Sequence, residues 1–291
     1  LLLSRDRIGK KPLYYENTLK PGAIHCASEI PALIDLIGRT PEEDVNSRTD
    51  YFKYGHCIPG HTIFKGVFEV LPGHNLIWQG GRTQQQPYWS LCPREVNTSK
   101  FAAMKELRQL LHKSVNKRLI ADVEVGAFLS GGIDSSLLVG MASSETSKPL
   151  KTFTIGFKNK SYDETRFARQ IAETHCTKHY ERIHSETDFT NFENLTANHL
   201  GQPFSDASLI PTYQVSKFAS EHVKVALSGD CADELFSGYQ RYTARSILRL
   251  YTRLPQLVRK NTESFIKAMP GSMRHHSGSL VKKAQLFVDI S

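Results

Sequence analysis

From Phe101 onward the sequence predicts an α/β fold, a doubly wound parallel sheet, preceded over residues 1–90 by short strands and turns. Three observations carry this. Strand-like and helix-like segments alternate after Phe101, the pattern of a parallel sheet covered by helices on both faces. Two loops bearing glycines and acids, LSGGIDSS and LSGDCADELF, close two of those strands, and sheets of this kind bind ligands at the carboxyl ends of their strands. Between the two regions, PYWSLCPREVNTSK (residues 87–100) is polar, Pro-containing and aperiodic, as a boundary is. The expected domains are therefore 1–90 and 101–291, joined by a linker at 91–100.

Taken in order, PLYYEN and AIHCAS read as strands, and Glu29–Leu36 reads as a short helix. NLIWQGGRTQQQPYW reads as a hairpin, with Gly80 and Gly81 at a tip that suits positive backbone angles. Phe101, Met104, Leu107, Leu110, Leu111 and Val115 then recur at helical spacing. VEVGAFL is a strand, DSSLLVGMASSE a helix, and KTFTIGF (151–157) the next strand. Ser161 and Glu164 are spaced as a capping box for a helix running to about His175. KHYERIH is a strand, DASLIPTYQVSKFASEH a helix, and VKVALSGD (223–230) a further strand. Right-handed crossovers restrict how such units connect. No internal repeat or low-complexity segment is present.

Composition narrows the class. The 291 residues are 40% hydrophobic and 23% charged, an ordinary globular balance. The opening LLLSRDRIGKK is too quickly charged for a signal peptide, and no apolar run is long enough for a membrane span. Five scattered cysteines with no CxxC pair suit reduced thiols in a cytoplasmic protein. The net charge of +8 is uneven: Arg241 to Lys283 holds ten Lys or Arg against one acid, Glu263. Arg241, Arg245, Arg249 and Arg253 recur every fourth residue among apolar ones, as on a solvated amphipathic helix face. That reading is preferred to nucleic-acid binding, because charge alone is weak evidence.

The LSGGIDSS loop lacks the GK[ST] ending of the commoner phosphate loop and the G-x-S-x-G elbow of serine hydrolases. It offers a strand, two glycines and serines at a helix start. Glycine lets backbone approach an anion, and the first N–H groups of a helix point at it. A phosphate site and a plain tight turn both remain open on these residues. Asp134 would repel phosphate unless a divalent cation such as Mg²⁺ lay between. In the second loop, Asp230, Asp233 and Glu234 follow a strand ending at Ser228-Gly229. At least one of these acids suits a helix N-cap; the others suit a second ligand for the same cation.

The segments SGGIDSS, FTIGF, YDETRFAR, QPF-DASLIPT and LSGDCADELFSGYQRY, in that order, resemble the synthetase half of glutamine-dependent asparagine synthetases. That half is of the ATP-pyrophosphatase, adenine nucleotide α-hydrolase-like type. RDRIGKKPLYY, ASEIPALI and PGHTIFKGVFEVLPGH resemble the rear part of the same family's Ntn-type α+β glutaminase domain. The resemblance implies that ATP activates the aspartate β-carboxylate as an adenylate with release of pyrophosphate, and that glutamine-derived ammonia then displaces AMP. It implies that Ser130, Gly131, Gly132, Asp134, Ser135 and Ser136 hold the pyrophosphate part of ATP. Leu129 and Ile155 would contact the nucleoside, with Ser228 and Gly229 closing the site. Asp134 and Asp233 would face Mg²⁺, and Asp230 the reacting aspartyl end. Partners implied are small molecules, with no membrane or nucleic acid, and a homodimer is allowed.

The family's N-terminal cysteine nucleophile, its glutamine-binding residues and a downstream catalytic lysine have no counterpart in the chain. The sequence is accordingly expected to be an internal fragment. Cys231 and Ser237 stand where the family usually has Gly, so a positive φ at 231 would carry strain and the sulfur could crowd pyrophosphate. A helix start can also activate a thiol. His175, Cys176 and His179 straddle a helix end and a strand, which does not suit a zinc site; His275-His276 reads as a solvated pair. The competing functions are another carboxylate-adenylating enzyme, such as a β-lactam synthetase, and a non-catalytic nucleotide-binding or basic scaffold protein.

Overall fold

The computed structural model describes residues 1–17, 22–160, 163–184, 192–239 and scattered positions from 242 to 266. Its contacts fall into two units, Leu1–Glu106 with Ser185–Gln214, and Leu107–His184 with Val215–Ser291. Within the region expected from 101 to 291, residues 192–214 group with the first unit.

The first unit holds β1 (Leu2–Ser4), β2 (Tyr14–Glu16), β3 (His25–Ala27), α1 (Ile30–Ile37), α2 (Val45–Tyr54), β4 (Val67–Glu69), β5 (His74–Gln79) and β6 (Arg82–Pro87). They form two antiparallel sheets, ordered β1-β5-β6 and β3-β2-β4. Tyr15, Val70 and Leu76 make their shared core, with Leu3, Cys26 and Phe68 against it. The expected hairpin is β5–β6, and Gly80 and Gly81 take φ of 58° and 77° at its tip. Pro31 near the start of α1 and left-handed Gly38 at its end explain its limits. α2 was not expected, because its apolar residues are sparse. Its signals are at its ends: the Asp44 carboxylate accepts from Ser47 N–H, and Gly55 closes it in the left-handed region. The RDRIGKK loop is a knot around Arg5, which donates to Glu69 Oε1 at 2.7 Å and to the carbonyls of Val70, Lys11 and Gly9. Asp6 accepts from the backbone N–H groups of Lys11, Lys10 and Ile8, which hold its carboxyl below the ordinary range. Further along, α6 (Phe192–Leu195) runs into a π-helical turn, Thr196–Leu200, also in this unit.

The second unit takes most of α3 (Lys100–Leu119), then β7 (Val125–Phe128), α4 (Ile133–Glu145), β8 (Lys151–Phe157), α5 (Thr165–Thr174) and β9 (Lys178–His184). The end of α7 (Leu209–Ser220), β10 (Val225–Leu227) and α8 (Ala232–Phe236) follow. The sheet is parallel throughout, in the order β10-β7-β8-β9. Alternation along the strands divides the core. Ala127 and Leu129 pack with Val115 of α3, Val139 and Ala142 of α4, and Ala168 and Ala172 of α5. Phe153 and Phe128 face the other way, toward Phe218 and Ala219 of α7. Helices thus cover both faces, as the alternation predicts. The chain moves outward from β7 through β9 and then returns to lay β10 on the other edge of β7. The loops after β7 and β10 therefore leave neighbouring strands at the point where strand order reverses.

Two expectations are corrected, and a third falls largely outside the described residues. Only the second half of α3 packs as its spacing suggests: Val115 is buried, with Leu111 and Leu119 beside it. Phe101, Met104, Leu107 and Leu110 are exposed, since no described neighbour covers the helix as far as Leu110. α5 begins at Thr165, one residue after Glu164, so Glu164 lies at the cap position and not three residues inside. Asp163 supplies the capping carboxylate, accepting from the Thr165 N–H and hydroxyl, and Ser161 lies outside the described residues. Most of the basic stretch 241–283, including Arg241, Arg245 and His275-His276, also lies outside them.

Candidate active site

The LSGGIDSS loop is a braced turn between β7 and α4. Ser135 Oγ is its centre, lying 2.9 Å from Ser130 Oγ, donating to Gly132 O and accepting from Ser130 N–H. Ser130 Oγ in turn accepts from Gly132 N–H at 3.2 Å. These bonds brace the loop from within. Ser136 differs: its hydroxyl oxygen is buried with no hydrogen-bond partner, and a buried orphan of this kind calls for a partner. Of the three serines expected to bind phosphate, Ser130 and Ser135 are engaged within the loop and Ser136 offers a free donor. Gly132 occupies the N-cap position of α4 with no side-chain cap, which leaves the helix start, with its unpaired N–H groups and positive dipole end, to an incoming anion.

Close approach explains the glycines. Gly131 has φ of 81°, and a Cβ there would lie 2.6 Å from Phe167 Cβ and 2.7 Å from Ala168 N. The loop is thus backed by the first turn of α5, a contribution that sequence reasoning missed. The small Ala168 was the signal available, but nothing local ties it to residue 131. Gly229, after β10, lies against the other side: a Cβ would sit 3.0 Å from Ser135 N and 3.2 Å from Asp134 Cβ. The structure therefore brings the two expected loops into contact, and glycine at 229 leaves room beside the helix start.

The remaining predicted residues divide. Leu129 is 1% exposed, its N–H donates to Phe153 O and its carbonyl accepts from Thr154 Oγ1. This places Leu129 behind the loop, in the core, and not on an open surface. Ile155 packs partly into the α7 side of the core. Ser228 Oγ donates to Asp230 Oδ2 at 2.8 Å, which orients that carboxylate. The Asp233 carboxylate fills the space a side chain at Gly238 would need, within 2.9 Å at its Cγ. Cys231 is exposed with φ of 71°, and Ser237 has φ of 59°. Both are left-handed positions held by non-glycine residues, so the strain expected at 231 is present. All five cysteines are free thiols.

Among the described residues no group of three or more His, Cys, Asp or Glu could hold a metal by itself. His175 packs beside Gly140, Cys176 donates to Glu173 O, and His179 Nδ1 meets Thr152 Oγ1; each has its own structural role. No helix among the described residues is long and apolar enough to cross a membrane.

Known proteins resemble both regions of the chain. The asparagine synthase family model matches residues 106–286, and the glutamine amidotransferase domain model matches residues 1–89. The glutamine-hydrolysing asparagine synthetase 1 of Bacillus subtilis is 34% identical over 275 residues, covering 94% of this chain and 43% of that protein. Amidase chyE of Penicillium rubens is 32% identical over 265 residues, covering 84% of this chain and 38% of its own length. The chain thus spans less than half the length of either relative. An NMN synthetase of Francisella tularensis is similar at 18% identity and a TM-score of 0.35, over 46% of this chain and 58% of that one. With one family model spanning most of the second unit and an amidotransferase model matching the region before it, the chain belongs to the asparagine synthase family.

Proposed function

We propose that this chain carries the ATP-handling site of a glutamine-dependent asparagine synthetase, on a doubly wound sheet of the ATP-pyrophosphatase type. Residues 1–90 would be the rear part of an Ntn-type glutaminase. The observation that supports the site most directly is the meeting of Gly229 with Asp134 and Ser135 beside the unpartnered Ser136 hydroxyl. A glycine-walled helix start with a free buried donor fits a pyrophosphate group.

In this reading the N–H groups at the start of α4 and the Ser136 hydroxyl bind the pyrophosphate of ATP, while Ser130 and Ser135, bonded to each other, keep the loop in shape. Gly131 and Gly132 permit the close approach, Ser228 and Gly229 close the second wall, and Ile155 borders the nucleoside with Leu129 supporting it from behind. Asp134 and Asp233 would hold Mg²⁺ jointly with phosphate oxygens, which is how that ion is commonly bound; the ion supplies neutralisation of phosphate charge. Asp230, oriented by Ser228, would face the aspartate substrate. The β-carboxylate oxygen attacks the α-phosphorus, pyrophosphate leaves, and ammonia then displaces AMP at the acyl carbon. The loops contribute positioning and electrostatic stabilisation. Small-molecule partners and a cytoplasmic setting go with this reading.

Isotope exchange between ATP and pyrophosphate, driven by aspartate, tests it. Asp134→Asn is expected to reduce the exchange at least tenfold; unchanged exchange would remove Asp134 from the metal site. A second reading, another carboxylate-adenylating enzyme with a different acid substrate, is left room by the likeness to a protein that is not named an asparagine synthetase. Exchange that ignores aspartate while ATP still binds would select it.

A further inference from the structure

Residues 192–206 lie inside the stretch that matches the asparagine synthase model, yet they cluster with the first unit. Three contacts account for this. Gly201 closes the π-helical turn at φ of 69°, its N–H donating to Thr196 O at 2.7 Å. It lies so near α1 that a Cβ would be 2.7 Å from Pro31 Cδ and 2.9 Å from Ile30 Cβ, and Ile30 is fully buried. Gln202 Oε1 accepts from Ile63 N–H at 3.4 Å. Ser205 Oγ donates at 2.8 Å to the carbonyl of Gly55, the residue that ends α2. The two polar partners are backbone groups, so recognition depends on how the chain of the first unit is folded. π-Turns are rare and concentrate where a helix does something other than pack.

We propose that residues 196–206 are a latch, an interaction surface by which the synthase stretch grips the α1–α2 face of the amidotransferase-like region. Naming the two regions rests on the proposed function; the latch itself rests on the contacts. Its consequence falls on α7. Directly after the latch, Asp206 accepts from Ser208 N–H at 2.8 Å and sets the start of that helix. The far end of α7 supplies Phe218 and Ala219 to the core under β8. Whatever loosens the latch releases the first turns of α7 while leaving the sheet intact.

Hydrogen–deuterium exchange followed by mass spectrometry on the whole chain tests this. Gly201→Ala is expected to speed exchange roughly tenfold in 192–206, 209–214 and the facing segments 30–37 and 45–55, with 125–157 unchanged. Ser205→Ala and Gln202→Ala remove one contact each, keep the backbone geometry and should give smaller accelerations in the same places. They decide the matter if Gly201→Ala does not fold. Acceleration confined to 192–206, with 30–55 unaffected, would overturn the latch, and so would equal acceleration in 125–157. ATP binding is measured on the same samples by calorimetry. Its failure would count against the proposed function while leaving the exchange result to decide the latch.

Discussion

Replacing Cys231 by Gly should stabilise the second unit. Cys231 has φ of 71° and ψ of 2°, its side chain makes no capping hydrogen bond, and it is exposed. An L-residue in the left-handed region costs about 1–2 kcal/mol. Glycine removes that cost but adds about 0.5–1 kcal/mol of conformational entropy to the unfolded chain. Taken at the middle of each range, the difference is a gain of about 0.75 kcal/mol, roughly a three- to fourfold change in the folding equilibrium. With a urea slope of about 2 kcal/mol per molar, the midpoint should rise by about 0.25–0.5 M. Far-ultraviolet circular dichroism is the appropriate signal, because both tryptophans, Trp78 and Trp89, lie in the first unit. Cys231→Ala is the control. It keeps the Cβ and its strain while removing the sulfur, so it should leave the midpoint nearly unchanged. A midpoint that falls with Gly, or rises equally with Ala, would refute the backbone argument.

Gly131→Ala places a Cβ against Phe167 and Ala168 N at positive φ, and should cost about 1–3 kcal/mol in thermal unfolding as well as ATP affinity. Ser136→Ala removes a hydroxyl with no partner in the protein. It should change stability by less than about 0.5 kcal/mol yet weaken ATP binding about tenfold by calorimetry, as expected for a hydrogen bond to a charged group. His179 is held below its ordinary value of 6.5, mainly by burial, with Glu181 opposing. Its neutral form is favoured on folding, so the unfolded chain binds more protons as pH falls through 6.5. Its contribution to stability is complete above that pH and is lost toward the lower folded value, and urea midpoints at pH 7.5 and 5 should differ less in His179→Gln than in the parent chain.

Much of the second unit was legible because its signals are local. A parallel strand such as KTFTIGF is rich in β-branched and aromatic residues and buried along most of its length, and KHYERIH follows a helix end; both lie where expected. The capping box at Ser161 misled because carboxylates stand at 163 and 164, and spacing does not say which one meets the helix start. α2 was missed because its burial is slight and its information sits in Asp44 and Gly55. The α3 pattern was read as one face, but periodicity reports only that a face exists and not whether anything covers all of it.

The sequence by itself determined the alternation of strands and helices, the two loops at strand ends and the family resemblance, because these depend on neighbours within a few residues. Tertiary structure alone decided which of the three serine hydroxyls is free, that Leu129 lies behind the loop, and that Gly229 meets Asp134 and Ser135. It also decided that residues 192–206 join the first unit. Each of these depends on strand order or close approach between distant segments. Such contacts are set by the order β10-β7-β8-β9 and by missing Cβ atoms at Gly131, Gly201 and Gly229, and a linear pattern carries no record of which segment will fill the space a glycine leaves.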